Sequence, residues 1–359
     1  MNDGILATIL ISMLGGAIRV STPFMFVALG ETLTEKSGRI NLGLEGNLVL
    51  GAMTAYAVSY HTGNPWLGVI AAGFAGVFLG SMHGIICSLP KVNDIAVGIA
   101  MMSFGTGIAF FFGKPYIQPS APRLESLPLG NWSESSSLRQ ALDINPLFFV
   151  GIVVAIAMWW ALANSRWGLI VRMTGDSEPA ARAMGVQPHQ VRIAATAAGG
   201  FLAGVGGAFL SLSYPGSWNE GLSSGQGLMA VALVIFARWN PLRCIIAALL
   251  FGAAGAIGPA LQSVGISQGY YFFNAAPYIL TLFIMIASAR SSSSAREAPG
   301  ELSIRDHPFC STRSKCAVSR AQITSGKPKC SRYAVARSTT SLWSSSSSFD
   351  SALWSAANA

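Results

Sequence analysis

The stretch from Ser165 to Arg192 reads S-R-W-G-L-I-V-R-M-T-G-D-S-E-P-A-A-R-A-M-G-V-Q-P-H-Q-V-R. It is polar, and it separates two long apolar runs in a chain that is otherwise strongly hydrophobic. We predict one short helix within it, near residues 177–184. A helix of this length is not stable alone, so it needs a surface to pack against. The alternative is a solvated loop helix without a partner.

The predicted helix has an identifiable start and stop. A side-chain oxygen of Asp176 or Ser177 can accept a hydrogen bond from the first backbone amides, and Glu178 suits the positive end of the helix dipole. Pro179 is compatible with the first turn, where the amides have no partner within the helix. Gly185 can adopt the left-handed conformation that ends a helix. The body consists of small or flexible residues, namely Ala180, Ala181, Arg182, Ala183 and Met184.

The whole chain has the composition of a membrane protein. Of its 359 residues, 52% are hydrophobic and 11% are charged, and the mean hydropathy is +0.49. A soluble domain carries about 25% charged residues, so we predict an all-α, polytopic bundle of membrane helices. Residues 1–289 hold 13 Lys and Arg against 11 Asp and Glu, whereas residues 290–359 hold 10 against 4. The net charge of +8 therefore belongs mostly to the tail and gives no argument for binding nucleic acid.

Long apolar segments predict about nine membrane spans, within a range of roughly eight to ten, since about 20 apolar residues cross a bilayer as a helix. The segments cover roughly residues 5–30, 42–60, 66–89, 94–112, 146–163, 193–212, 225–237, 243–262 and 270–288. The seventh segment is short and opens with Gly225 and Gly227, which indicates a broken or partial span. Asn240-Pro241 predicts the turn into the eighth segment.

The distribution of Lys and Arg predicts the orientation. If residues 165–192 are cytoplasmic, nine spans place the N-terminus outside and the tail inside. The outside loops then hold only Lys114, Arg123 and Arg139. The inside loops hold Lys36, Arg39, Lys91, Arg166, Arg172, Arg182, Arg192, Arg238 and Arg243. This excess satisfies the positive-inside rule.

Two regions outside the spans stand apart. Residues 113–145 form a long external loop rich in Pro and Ser, which we expect to pack as a plug or to receive an external partner. Residues 290–359 follow a predicted transmembrane domain of residues 1–289 and contain many serines without an apolar period, which predicts a disordered tail. A change of reading frame is the second interpretation of this tail. Residues 299–304 have the character of a natural ending, whereas the sequence from Ser311 onward resembles arbitrary translation.

Polar residues within or beside apolar segments are the candidates for a translocation pathway. An intramembrane Arg19 would face the bundle interior or water, unless the first segment is two shorter pieces with Arg19 at an interface. Glu45 opens an apolar run, and we expect its carboxylate to bond a backbone amide or a polar neighbour, with Asn41 and Asn47 as candidates. A buried structural strut and a substrate contact are both open for Glu45. With Gln226, these residues complete the candidate set.

Three stretches together resemble the permease subunits of bacterial ABC importers. They are Glu31 to Ala52, the T-G-D-S-E-P-A-A-R-A-M-G-V loop, and Gly225 to Pro241. The branch is that of simple-sugar and nucleoside uptake systems, related to ribose-type permeases, and the resemblance covers about residues 20 to 304. The G-x-x-x-x-A-A-x-x-x-G pattern at Gly175, Ala180, Ala181 and Gly185 resembles the family's coupling loop, which docks in a groove of the ATP-hydrolysing subunit.

The resemblance implies an assembly in the bacterial inner membrane. Its partners would be an ABC ATPase subunit, a second permease subunit that is a paralogue, and an external substrate-binding protein or lipoprotein received by loops 113–145 and 213–223. ATP and magnesium would be bound by the partner ATPase, and this chain would hold no cofactor. The implied solute is a nucleoside or a simple sugar. The coupling residues would be Gly175, Glu178, Ala180, Ala181, Arg182, Met184 and Gly185.

The sequence lacks the motifs of several other function classes. The chain has no G-x-x-x-x-G-K-[ST] phosphate loop, no H-E-x-x-H or paired Cys/His spacing for a metal, and no G-x-S-x-G elbow. We therefore expect neither an enzyme with catalytic residues nor a metal site. An ion-gradient-driven secondary transporter is the alternative function, and it needs titratable residues within the spans. Glu45 and Asp94, with Arg19, are the ones expected there. An intramembrane enzyme would need a cluster of His, Asp or Glu, and no such cluster is apparent.

Overall fold

The computed structural model describes residues 2–132, 135–263, 273–290 and 299–300, and this part of the chain is mostly helical. The helices are α1 (Asn2–Lys36), α2 (Leu44–Thr62), α3 (Pro65–Cys87), α4 (Asp94–Gly113), α5 (Ser136–Ala141), α6 (Pro146–Asn164), α7 (Arg166–Asp176), α8 (Glu178–Ala183), α9 (Pro188–Leu212), α10 (Gln226–Ala237), α11 (Pro241–Ser263) and α12 (Ala276–Arg290). A short 3₁₀ turn spans Lys114–Tyr116. The strands β1 (Leu127–Pro128) and β2 (Asp143–Ile144) pair antiparallel, with Leu127 opposite Ile144.

Asn-Pro pairs begin three of the long helices. Asn64, Asn145 and Asn240 each accept a hydrogen bond from the backbone amide two residues later, at 2.9–3.0 Å. The proline that follows each Asn occupies the first turn, where its missing N–H removes no helix hydrogen bond. The predicted turn at Asn240-Pro241 is therefore confirmed as the start of α11.

Six of the described helices are long and apolar enough to cross a membrane. These spans are Leu10–Lys36, Pro65–Cys87, Asp94–Tyr116, Pro146–Asn164, Pro188–Leu212 and Pro241–Gln262. Each of the nine predicted apolar segments coincides with a helix, but the count of nine spans stays a prediction. The α2 helix carries polar residues and is mostly surrounded by protein. The 12 residues of α10 extend only about 18 Å, short of a hydrocarbon core of about 30 Å, as expected for a partial span.

The first segment is one continuous helix. α1 runs from Asn2 to Lys36 with Pro23 inside it, so the alternative of two shorter pieces is wrong. The helix also extends beyond the predicted end of the apolar run at residue 30. In these last turns Glu31 accepts from the backbone amide of Asn41 and Glu35 accepts from the indole nitrogen of Trp239, while the second carboxylate oxygen of Glu31 has no partner among the described residues.

The two ends of the bundle are held by different contacts. At the end that carries α7 and α8, here called the α8 end, Arg39 and Asp94 form an ion pair at 2.5 Å between α4 and the segment after α1. At the opposite end the loop of residues 113–145 packs on helix termini. The hydroxyl groups of Tyr56 and Ser59 donate to the carbonyl oxygens of Pro119 and Pro122, each at 2.8 Å. The loop therefore covers this end, whereas docking of an external partner there stays a prediction.

The α9 helix lies in the centre of the bundle and packs against α1, α2 and α3. A β-carbon at Gly200 of α9 would overlap the carbonyl oxygen of Gly76 in α3, and a β-carbon at Gly76 would overlap that of Gly200. Such close approach is typical of membrane helices, which gain little from hydrophobic burial against each other and depend on packing. Large apolar side chains on the outer faces, such as Phe74 and Phe78 of α3, are exposed, as expected for contact with lipid.

The predicted tail of residues 290–359 lies almost entirely outside the described residues. This applies both to disorder and to a changed reading frame, and each stays a prediction.

We predict that Gly200→Ala destabilises the protein, because its methyl group overlaps the backbone of α3. Overpacking of this kind costs about 1–3 kcal/mol. Gly107→Ala on the exposed face of α4 is the matched control, since nothing lies within 4 Å of a β-carbon there. Alanine is the better helix former by up to about 1 kcal/mol, so the control should be neutral or stabilising. Thermal unfolding of both purified variants in detergent checks this. Equal melting temperatures would contradict the packing described for α9.

Candidate functional site

The polar stretch of residues 165–192 contains two short helices rather than one. α7 occupies Arg166–Asp176, and Ser165 caps it by accepting from the amide of Gly168 at 3.0 Å. α8 then occupies Glu178–Ala183, within the predicted range of 177–184. Asp176 belongs to α7 and is not the cap of α8, so that prediction is wrong. Ser177 stands at the N-cap position of α8, but its side chain makes no capping hydrogen bond.

The glycines and alanines of the coupling-loop pattern have distinct structural roles. Gly175 is buried, and a β-carbon there would overlap the carbonyl oxygen of Lys36 at the end of α1. Ala181 is 0% exposed and forms the inner face of α8. Gly185 has a φ of +79° and ends α8 in the predicted left-handed conformation. The pattern therefore seats α8 closely on the bundle and stops it after about two turns.

The outer face of α8 is open at the α8 end of the bundle. Ala180, Arg182, Ala183 and Gly185 are exposed, and Met184 is an apolar side chain that is 73% exposed. An exposed flexible methionine flanked by small residues is a surface suited to insertion into a partner's groove.

A buried arginine ties α8 to the rest of the bundle. Arg192, in the first turns of α9, is only 4% exposed. Its guanidinium group donates to a carboxylate oxygen of Glu178 at 2.7 Å and to the carbonyl oxygens of Ser37 at 3.1 Å and Thr174 at 3.4 Å. One side chain thus joins α7, α8 and α9 and the turn after α1. The planar fork of arginine makes such multiple contacts possible, and lysine could not reproduce them.

Glu178 is the second partner of this network. Its other carboxylate oxygen accepts from Arg182 at 2.6 Å, four residues along α8. Burial raises the pKa of Glu178, but the hydrogen bonds and charges of Arg182 and Arg192 outweigh this and hold the pKa below its usual value. The carboxylate is therefore ionised at neutral pH, and both ion pairs are formed there.

A second polar site lies at the start of α10, inside the bundle. Glu45, the second residue of α2, accepts from the hydroxyl of Ser223 at 2.5 Å, the amide of Gly225 at 3.1 Å and the amide of Gly227 at 2.6 Å. The carboxylate thereby satisfies the free amides at the N-terminus of this half-length helix, where the dipole also favours negative charge. The expected bond to a backbone amide is present, but Asn41 and Asn47 are not the partners. This geometry fits a structural role for Glu45 as a buried strut, whereas contact of Glu45 with a substrate stays a prediction.

The other pathway candidates are distributed over the bundle interior. The backbone amide of Asn41 donates to Glu31 at 2.8 Å, and the side-chain oxygen of Asn41 accepts from the backbone amide of Gly43. Among the described residues, the side-chain nitrogen of Asn47 and the side-chain oxygen of Gln226 are buried without a hydrogen-bond partner. Arg19 lies apart from these, in a cavity of about 140 Å³ between α1 and α11. The candidates therefore do not surround one common cavity.

The sequence-based predictions did not include several contacts of buried charged residues. Arg192 was counted only as a loop charge, although it is the central residue of the α8 network. Glu31 and Glu35 lie one turn apart in the last turns of α1, and both are buried. The indole nitrogen of Trp239 donates to Glu35. The expectation that only Glu45 and Asp94 are available as acidic groups in the spans is therefore wrong.

Among the described residues no group of three or more His, Cys, Asp and Glu could hold a metal ion.

We predict that Glu45→Ala destabilises the protein by about 2 kcal/mol, because hydrogen bonds to a charged acceptor are lost and buried amides stay unsatisfied. Glu125→Ala, at an exposed position in the loop of residues 113–145, is the control that removes the same charge without removing a cap. Thermal unfolding of the two purified variants distinguishes them. Identical melting temperatures would show that the α10 terminus does not depend on Glu45.

Comparison with known proteins places this architecture in a family. Residues 13–289 match the family described as branched-chain amino acid transport system / permease component. The chain is 32% identical to the putative glucose ABC transporter permease protein TsgC13 of Haloferax volcanii, over 71% of this chain and 79% of the relative. It is 27% identical to the nucleoside ABC transporter permease protein NupC of Lactococcus lactis and 28% identical to the guanosine ABC transporter permease protein NupQ of Bacillus subtilis. Each of these two matches covers 74% of this chain and 88% of the relative.

A second permease protein of Lactococcus lactis, NupB, is also similar, at 22% identity over 80% of this chain. The resemblance to ABC importer permeases of the simple-sugar and nucleoside branch is confirmed by these matches. Together with the six apolar spans, they identify a multi-pass protein of the inner membrane. The family match covers most of the chain, and the chain belongs to the family of permease components of the branched-chain amino acid transport system.

Proposed function

We propose that this chain is the membrane-spanning subunit of an ATP-driven importer for nucleosides or simple sugars. The observation that carries the proposal is the α8 unit, an exposed helix with Met184 on its surface and a buried arginine beneath it. A partner ATPase would bind the exposed face and supply the energy. The solute class is supported by relatives named for glucose, nucleosides and guanosine.

The Arg192 network is the route by which movement of α8 would reach the spans. Pulling on α8 acts on Glu178, and through Arg192 on α9 and on the turn at Ser37. Gly175 adds a second link, because α7 lies directly against the end of α1. Both α1 and α9 are central spans, so a shift at their ends changes the packing of the whole bundle. ATP binding would select between inward-facing and outward-facing states through its different affinity for each.

The short helix α10 favours a translocation pathway close to its buried N-terminus. A helix that ends within the bundle places polar backbone at membrane depth, as in many transporter binding sites. Here the carboxylate of Glu45, in α2, caps the N-terminus of α10. Gln226 is the first residue of α10, and its side-chain oxygen is without a hydrogen-bond partner among the described residues. The pathway residues would then be Gln226 and Asn47, with Arg19, Asn41 and Glu45 as supporting groups. Hydrogen-bonding amides suit a neutral hydroxylated solute.

The assembly would contain a second permease subunit and an external binding protein or lipoprotein. Two similar permease proteins of one organism, NupB and NupC, support pairing with a paralogue. The packed loop of residues 113–145 and the segment of residues 213–223 lie at the end opposite α8, where a loaded binding protein would deliver the solute. Magnesium and ATP would reside in the ATPase.

We predict that Met184→Glu abolishes binding of the ATPase, because it places a charge on the docking face. The permease itself should keep its melting temperature, since the Met184 side chain is mostly exposed. Leu89→Glu is the matched control, as Leu89 is 57% exposed at the same end of the bundle. Co-purification of the ATPase and uptake of labelled nucleoside or glucose measure the effect. Normal ATPase capture and uptake by Met184→Glu would refute docking at α8.

We predict that Arg192→Gln leaves the ATPase bound but lowers solute uptake per ATP hydrolysed about tenfold, within the range of allosteric coupling between sites. The reason is that the docking face persists while its link to α9 and Ser37 is lost. Arg192→Lys should restore uptake only in part, because lysine keeps the charge without the fork. Arg166→Gln is the control at an exposed position of the same end.

The readout is the ratio of uptake to hydrolysis in proteoliposomes. Equal loss of both rates, or no loss, would contradict a transmitting role for Arg192. If Arg192→Gln does not fold, Glu178→Gln removes the same ion pair through its less buried partner. The ratio of uptake to hydrolysis is then measured for that variant.

A further inference from the structure

The last described helix, α12, runs toward the α8 end of the bundle. It starts beside α10, because the hydroxyl of Tyr278 donates to the carbonyl oxygen of Ser224 at 2.6 Å, and the two helices pack against each other. Directly after α10, Trp239 donates to Glu35 in the last turns of α1. α10 and α12 therefore both lead from the bundle interior to the end where α1 terminates, and α12 ends there at Arg290.

Pro299 and Gly300 lie against the last residue of α7. Pro299 is buried, and a β-carbon at Gly300 would lie 2.4 Å from the carbonyl oxygen of Asp176 and 3.4 Å from its α-carbon. The first distance is too short for a side chain, so only glycine permits this approach of the two backbones. The ten residues after Arg290 can extend to about 33 Å, which brings the chain within reach of α7.

The junction between α7 and α8 depends on such external contacts. Ser177 is extended between the two helices, and its side chain makes no capping hydrogen bond to α8. With six residues α8 is too short to be stable alone. Gly175 packs closely on the carbonyl group of Lys36 at the end of α1, and the next residue, Asp176, packs on Gly300. These two consecutive contacts fix the point from which α8 leaves α7.

We propose that Gly300 is a positioning residue for α8, whose contact with Asp176 keeps the exposed face around Met184 in one orientation. The proposal rests on docking of the ATPase at α8. A docking face that is correctly oriented only part of the time binds with an apparent affinity reduced by that fraction. In Gly300→Val the larger side chain displaces the segment from Asp176. The ion pair between Glu178 and Arg192 persists, so α8 stays attached to the bundle but is less restricted.

Hydrogen exchange of the purified full chain in detergent tests the contact itself. In Gly300→Val we expect the backbone amides of residues 177–184 to exchange about tenfold faster, because their exchange follows local opening of this segment. Gly107→Val is the matched control, since no described atom lies within 4 Å of a β-carbon there, and it should leave these amides unchanged. Unchanged exchange in Gly300→Val, or equal acceleration in the control, would overturn the proposal.

Titration of the ATPase onto the same two variants tests the positioning role. We expect Gly300→Val to bind the ATPase about tenfold more weakly, as for a docking orientation present about one tenth of the time. Its melting temperature should be unchanged, whereas a purely structural role would lower the melting temperature and leave the affinity intact. Full affinity despite faster exchange would overturn the proposal.

Met184→Glu separates this proposal from the proposed function. If Met184→Glu still binds the ATPase, docking at α8 is wrong, while the exchange measurement still decides whether Gly300 holds the junction. If Gly300→Val does not fold, Gly300→Ala introduces the same overlap with less bulk, and it is compared with Gly107→Ala in both measurements.

Discussion

The close approach of α9 to its neighbours is the constraint on which the bundle depends. Membrane helices gain little from excluding lipid from one another, so their association rests on packing and on polar contacts. Gly200 and Gly76 allow α9 and α3 to touch backbone to backbone. Because α9 also contacts α1 and α2, its position determines where the ends of those helices lie. The α8 unit is attached to these same ends.

Polar groups inside this packing are satisfied by a few charged side chains, each with several partners. Glu45 accepts from the hydroxyl of Ser223 and from two backbone amides at the start of α10. Arg192 donates to one carboxylate and two carbonyl oxygens at the ends of α1, α7 and α8. An unsatisfied backbone group in a low-dielectric interior is costly, so a partial helix and a surface helix can exist here only with such partners. Glu45 therefore attaches the partial helix α10 to α2, and Arg192 attaches the surface helix α8 to α9.

The same arrangement relates the proposed ATPase docking to transport. Movement applied to the exposed face of α8 would act first on Glu178, whose lowered pKa keeps it charged at neutral pH, and then on Arg192. Since Arg192 is in α9, the displacement would reach this central helix.

The sequence by itself determined the class of protein, the approximate positions of the apolar helices and the coupling-loop pattern. These features are local: apolar length predicts spans, Asn240-Pro241 predicts the start of α11, and Gly185 predicts the end of α8. Only the tertiary structure decided which polar groups meet. Glu45 bonds amides about 180 residues away, so its neighbours Asn41 and Asn47 were the wrong candidates. Likewise Glu178 finds Arg192 across a helix boundary. Such pairs have no periodicity in the chain, because the distance between their side chains depends on how separate helices pack.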